Sequence, residues 1–192
     1  LYPSAHGRVR RNDKMREDVE TLAERLGDSG YRTAAFVDGG LMAAGFGLEQ
    51  GFELYDDQPG GVRKMAPKAE RWIDGHLRSS KASKQPFFLL LHTYDVHSPY
   101  ERTPKPFRER YLDDLAEPPT PSFRERTAKK MMAISKARYQ HPYPQLAEND
   151  LRYAEALYDG GIRHVDHWFG ELRRFLESRG LYDQAIVVVI SD

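Results

Sequence analysis

Pro86-Phe87-Phe88-Leu89-Leu90-Leu91-His92-Thr93-Tyr94-Asp95-Val96-His97-Ser98-Pro99-Tyr100 is the stretch from which the fold can be read. Its apolar run, residues 87–91, is too short for a membrane span and suits a strand buried on both faces, as inside a parallel sheet. Polar character returns at His92, and Asp95 and His97 follow where the strand would leave the sheet. Pro99 has no N–H to give to a ladder, so regular pairing should stop by that point. In open α/β sheets, ligands bind beyond the carboxyl ends of the strands. A buried strand that runs out into two imidazoles and a carboxylate is therefore a candidate active site.

Upstream of this strand the chain alternates helix and strand. Val19, Leu22, Ala23 and Leu26 recur at helical spacing and predict a helix over 17–28, with Asp13, Glu17 and Asp18 near its start and Gly30 as its stop. Thr33-Ala34-Ala35-Phe36-Val37-Asp38 reads as a short buried strand, and the glycines from Gly39 to Gly51 as an irregular loop. Ala69, Trp72, Ile73 and Leu77 mark a second amphipathic helix over 66–78. Downstream, residues 101–149 are rich in proline and charge and have no strand-like run; short helices are predicted near 107–112 and 124–138. Such an insertion is either a lid or a solvent-exposed excursion. Residues 151–178 carry the clearest helical periodicity, interrupted by Gly160-Gly161, which implies a kink or a close approach by a neighbouring element. After Gly180, Ala185-Ile186-Val187-Val188-Val189-Ile190 predicts a second core strand, with Ser191 and Asp192 at its carboxyl end. The fold class expected is α/β, with a mainly parallel central sheet flanked by helices.

The composition sets limits. At 192 residues, with 40% apolar and 30% charged residues, the chain is long enough for one domain with a sizeable core. Lys plus Arg and Asp plus Glu balance at 29 each, so no net field draws nucleic acid or a membrane surface. Cysteine is absent, which excludes disulfides and thiolate metal sites from this stretch. No membrane segment is expected in it either. The chain opens on Leu1 rather than Met and stops at Asp192 directly after a strand-like run, which suggests an internal fragment of a longer domain.

Two strand tips carry the candidate chemistry. His97 and Asp192 follow two apolar runs that could be parallel strands of one sheet, with helix 151–178 as the crossover such a pair requires. A carboxylate there can bind a hard divalent cation, and an imidazole can contact an anionic substrate or protonate a leaving group. Strand alternation puts His92 on the opposite face from Asp95 and His97, which suits a structural, supporting role. Asp95 can orient a neighbouring ring or cap a turn. His164, His167 and Glu171 share a helix face and could ligate a metal, although no fourth ligand is evident and an ordinary polar face explains them as well. His6, His76 and His141 lie in exposed-looking surroundings and receive no role. The basic run Arg8, Arg10, Arg11, Lys14, Arg16 reads as a solvated loop, or else as an anion-attracting rim. No Gly-x-Ser-x-Gly elbow is present to support a serine hydrolase.

Several pieces occur together in order. They are Tyr2-Pro3-Ser4-Ala5-His6-Gly7, Thr21-Leu22-Ala23-Glu24, Gly30-Tyr31-Arg32-Thr33-Ala34-Ala35-Phe36-Val37, Gly47-Leu48-Glu49-Gln50-Gly51-Phe52 with Tyr55-Asp56-Asp57, and the whole of 86–100. Tyr158-Asp159-Gly160, Ile162-Arg163, Val165-Asp166 and Gly180-Leu181 through to Ser191-Asp192 complete the set. In these pieces the chain resembles the sulfatases of the alkaline-phosphatase superfamily. The resemblance implies a single partial catalytic domain over 1–192, with the insertion at about 101–149. It implies that His97 contacts the sulfate ester and helps its leaving oxygen depart, with His92 as a second substrate-side candidate. Asp192 would bind the metal, calcium in most sulfatases. The nucleophile, a formylglycine made from Cys or Ser, and a further metal-binding aspartate pair would lie outside this chain, which by itself is expected to be inactive. The substrate implied is a sulfate ester of a small molecule or glycan, and export is common among such relatives.

Two departures from the family pattern matter. Asp38-Gly39-Gly40 stands where many members have Gly-Lys-Trp-His, and Gly161 stands where an acidic residue is expected. The first leaves open a phosphodiesterase or phosphotransferase on the same scaffold, or a non-catalytic binding module derived from it.

Overall fold

A computed structural model describes residues 7, 10, 13–79, 84–125, 127, 129–131 and 146–191. They fall into two compact units: Leu1–Thr93 together with Leu172–Asp192, and Tyr94–Glu171.

The first unit is built on a parallel sheet of three strands, β1 (Arg32–Val37), β2 (Leu54–Asp56) and β3 (Phe87–His92), in the order β2-β1-β3. Ala34 lies opposite both Leu54 and Leu89, and Val37 opposite His92. The predicted parallel α/β arrangement is therefore the one observed. The most buried strand, however, is β1, in which 33–37 are all buried, whereas β3 is half-buried along its length. The reason is position: β1 is paired on both sides, while β3 is paired only to β1 among the described residues.

Two helices accompany the sheet. Helix α1 (Leu22–Asp28) starts five residues later than its periodicity suggests, because Thr21 and Glu24 close a capping box. Thr21 Oγ1 accepts from the Glu24 N–H at 3.0 Å, and Glu24 Oε2 accepts from the Thr21 N–H at 2.7 Å. Gly30, at φ +88°, ends it in a conformation that suits glycine. Helix α2 (Val62–Arg78) starts four residues earlier than predicted and carries Pro67 within it. Its buried face, Val62, Met65, Ala66, Ala69, Ile73 and His76, follows the 3.6-residue period. Met65 and Ala69 join Ala34 and Phe36 in the core, with Trp72, Leu89 and Leu91 packed around them. His76, expected to be exposed, belongs to this buried face. Its Nε2–H donates to the Gln85 carbonyl at 3.0 Å, and its ring stacks on Trp72 at 5.9 Å.

The second unit contains two single-turn helices, α3 (Lys105–Arg108) and α4 (Pro121–Arg124), and most of the long helix α5 (Glu148–Ser178). Most of the helix predicted over 124–138 lies outside the described residues. Phe123 is fully buried beside Tyr153, and Asp150 accepts from the Thr120 N–H at 2.7 Å, fixing the start of α4 to that of α5. Helix α5 runs through Gly160-Gly161 without a break. A Cβ at Gly160 would sit 2.7 Å from the Phe107 carbonyl oxygen and 2.8 Å from the Arg108 Cα, so close packing against α3 explains this glycine.

Residues 185–190 depart from expectation. Among the described residues they join no ladder, and Ile186, Val188 and Ile190 are 95%, 73% and 85% exposed. β-Branched residues favour a strand only where a neighbouring strand and a packed face receive them. Neither is present for this run among the described residues, so its apolar character alone does not make it a core strand.

Candidate functional site

The turn after β3, in the second unit, holds the candidate imidazole. The His97 N–H donates to the Tyr94 carbonyl at 2.9 Å, closing a four-residue turn. His97 Nδ1 makes a short contact with the Ser98 carbonyl oxygen. A carbonyl can only accept, so Nδ1 is the donor in this contact, and in a neutral ring that leaves the lone pair on Nε2. The imidazole is exposed, and the Tyr94 ring meets it at 86° with centroids 5.9 Å apart. Asp95 O and Val96 Cα lie 3.4 and 3.6 Å from where a Cβ on Gly161 would be, so this turn rests directly on α5. Tyr100 stacks edge-on against Tyr158 at 5.8 Å; burial, with a smaller contribution from Tyr158, pushes its hydroxyl above the ordinary phenol value and keeps it protonated.

In the first unit, the carboxyl ends of the strands carry acidic residues, each with a structural contact. Asp38, after β1, accepts from the Gly60 and Gly61 N–H groups at 2.8 and 3.1 Å and so braces the start of α2. Asp57 accepts from the Ala44 N–H at 2.9 Å. Asp56, at the end of β2, binds Lys68 at 2.7 Å. Burial alone would raise the Asp56 carboxyl, but the Lys68 hydrogen bond, the Gln58 N–H and the Lys68 charge together hold it below the usual carboxylate range. His92, half-buried, closes β3 opposite Val37. An open acidic hollow beside α1, about 420 Å³ and lined by Glu17, Asp18, Glu20, Glu24 and Asp28, would repel an anionic ester.

Asp192 lies outside the described residues, as do His6 and His141, and the strand expected to carry Asp192 is not formed. The predicted pairing of His97 with Asp192 therefore lies outside the described residues. No three His, Asp or Glu side chains converge as cation ligands would among the described residues, so these alone do not make the divalent-cation site. The helix-face cluster has another explanation. His164 is buried, its Nε2 accepts from the Trp168 indole N–H at 3.2 Å, and both His164 and His167 pack on Phe107. The Nε2 lone pair that a metal would need on His164 is already engaged.

The sequence placed His97 just beyond a strand, but the contacts made at the strand ends were not readable in it. Ser98 acts through a backbone carbonyl, which side-chain identity does not reveal, and Asp38 reaches glycines 22 and 23 positions away.

A Sulfatase family model matches residues 1–192. No curated protein matches the chain by sequence comparison. Among solved structures, the chain is similar in fold to BT4656 in complex with its substrate D-glucosamine-2-N,6-O-disulfate, with a TM-score of 0.62 and 15% identity. The match covers 95% of this chain and 51% of the other, so the chain spans about half the length of that relative.

Proposed function

The chain belongs to the sulfatase family, and from that premise we propose that the protein it belongs to hydrolyses sulfate esters, with His97 acting at the leaving oxygen. The observation that carries this reading is the exposed imidazole whose Nδ1 is held by the Ser98 carbonyl. With Nδ1 fixed as the donor, Nε2 can accept a proton from a ligand hydroxyl, or hand one to a departing alkoxide when the ring is charged. His92 is the second substrate-side residue in this proposal. A sulfated sugar is the substrate class favoured, because the structural neighbour binds one.

A divalent cation, calcium on the family's pattern, would supply positive charge opposite the developing negative charge, with Asp192 as one of its carboxylate ligands. The described residues do not by themselves form that site; on the family's pattern its remaining ligands and the formylglycine nucleophile would lie outside residues 1–192. On this reading residues 1–192 are one part of the catalytic domain, with 101–149 as its insertion.

A phosphate ester is the second reading, left open by Asp38-Gly39-Gly40, which departs from the family's pattern after β1 and whose carboxylate braces Gly60 and Gly61. Assaying the full-length protein with 4-nitrophenyl sulfate, glucosamine 6-sulfate and 4-nitrophenyl phosphate separates the two. Release of sulfate is expected. Turnover of the phosphate ester alone would replace the reading with the second one, and binding without turnover would make the protein a binding module.

A further inference from the structure

Building on the reading of His97 as the group at the leaving oxygen, we propose that Tyr94 is the positioning residue that holds this imidazole in one orientation and one tautomer. The backbone of the turn does not do this by itself. The bond from the His97 N–H to the Tyr94 carbonyl at 2.9 Å places the Cα of His97 and leaves the ring free to turn about its own bonds. The contact of Nδ1 with the Ser98 carbonyl favours one tautomer, but His97 is exposed, so water competes for that proton and the opposite tautomer is within reach. The remaining constraint is the Tyr94 ring. It stands at 86° to the imidazole with centroids 5.9 Å apart, inside the range in which edge-to-face aromatic pairs attract. The ring closes one flank of the imidazole to water and keeps Nδ1 on the Ser98 carbonyl, so that Nε2 alone is presented to a ligand. Asp95 and Val96 rest on α5 at Gly161, which gives the turn between the two rings a rigid base. The contact is between rings, so an aromatic ring is what this contact requires.

The test uses the full-length protein and four chains: wild type, Tyr94→Phe, Tyr94→Leu and His97→Ala. Nitrogen NMR of the histidine ring reports the tautomer without any turnover, and steady-state kinetics on 4-nitrophenyl sulfate reports its consequence. Wild type and Tyr94→Phe are expected to show a single Nδ1–H tautomer at His97 and kcat values within about twofold of each other. Tyr94→Leu is expected to show mixed tautomers and a kcat lowered about three- to tenfold, with KM nearly unchanged, as loss of one aromatic pair implies. Tyr94→Met fills similar space without a ring and carries the same expectation should the leucine variant fail to fold. A single tautomer together with a wild-type kcat in the non-aromatic variants, while His97→Ala is inactive, overturns the positioning role and leaves the reading of His97 standing. Full activity in His97→Ala overturns the reading of His97 and with it any catalytic consequence of Tyr94, and the tautomer spectrum still decides whether Tyr94 holds the ring.

Discussion

Residues 33–37 and 185–190 belong to the same unit, and by composition the second is the better strand. Ala-Ile-Val-Val-Val-Ile is almost wholly β-branched, whereas Thr-Ala-Ala-Phe-Val contains two alanines. Yet 33–37 form the buried centre of the sheet, and 185–190 stand in solvent with Ile186 at 95% exposure. The difference lies in the surroundings. β1 has a parallel neighbour on each side and the apolar face of α2 beside it, so its N–H and C=O groups are paired and its side chains covered. Burying one large apolar side chain contributes about 1.5–3 kcal/mol, a gain that Phe36 has and Ile186 does not. An apolar run is thus a statement about what a segment can do when met by a partner.

The largest effect is expected at Phe36, only 3% exposed and in contact with the α2 face. Phe36→Ala should cost about 3–5 kcal/mol in a denaturant titration, the range for removing a buried aromatic ring. A loss below about 1 kcal/mol would mean that β1 is not the centre of the core.

The same rule of fit can be tried on two helical glycines. A Cβ at Gly160 would press on the α3 backbone, while one at Gly75 in α2 would meet nothing within 4 Å. Gly160→Ala should therefore destabilise by about 1–3 kcal/mol despite its better helix propensity, and Gly75→Ala should stabilise by up to about 1 kcal/mol. Equal shifts in melting temperature for the two would sink the packing explanation.

A smaller effect is expected at the Asp56–Lys68 pair that ties β2 to α2. The Asp56 carboxyl is depressed in the folded state, so its contribution is present above the ordinary carboxylate range and disappears as the pH falls through its lowered value. Asp56→Asn should cost about 1 kcal/mol at pH 7 and nothing once the carboxylate of the parent is protonated. Stability curves of the two proteins should converge on acidification; parallel curves would show the pair to be inert.

Smallest of all is the change at Val188. With 73% of it exposed, Val188→Lys should alter the stability of residues 1–192 by less than about 0.5 kcal/mol. It should also reduce self-association measured by light scattering, since an exposed, unpaired apolar segment is an aggregation hazard. A loss comparable to that at Phe36 would show that 185–190 is packed after all, and the contrast would vanish.

How much of this was legible beforehand follows the same division. The parallel α/β plan was readable because β1 and β3 are apolar runs, each with an amphipathic helix ahead of it. The strand β2 was not, being three residues, Leu54-Tyr55-Asp56, at the end of a glycine-rich loop. The start of α1 was written in Thr21-x-x-Glu24, but the acidic residues before it carry a helix-start signal too, and periodicity alone extends the helix to Glu17. Pro67 marks no boundary of α2, whose start is fixed instead by Asp38 reaching Gly60 and Gly61. At the site, residue type and position singled out His97, because a polar turn after an apolar strand is a local pattern. Its tautomer rests on a carbonyl oxygen and a ring contact, which exist only once the turn is folded.

The account turns on one imidazole, and one measurement addresses it most directly: kcat/KM of the full-length protein for a sulfate ester with His97 intact and with His97→Ala. A group that moves a proton at the leaving oxygen should take about 100-fold or more with it when removed, at unchanged melting temperature. Activity within about threefold of the parent would contradict the central claim, leaving the fold and the family as they are.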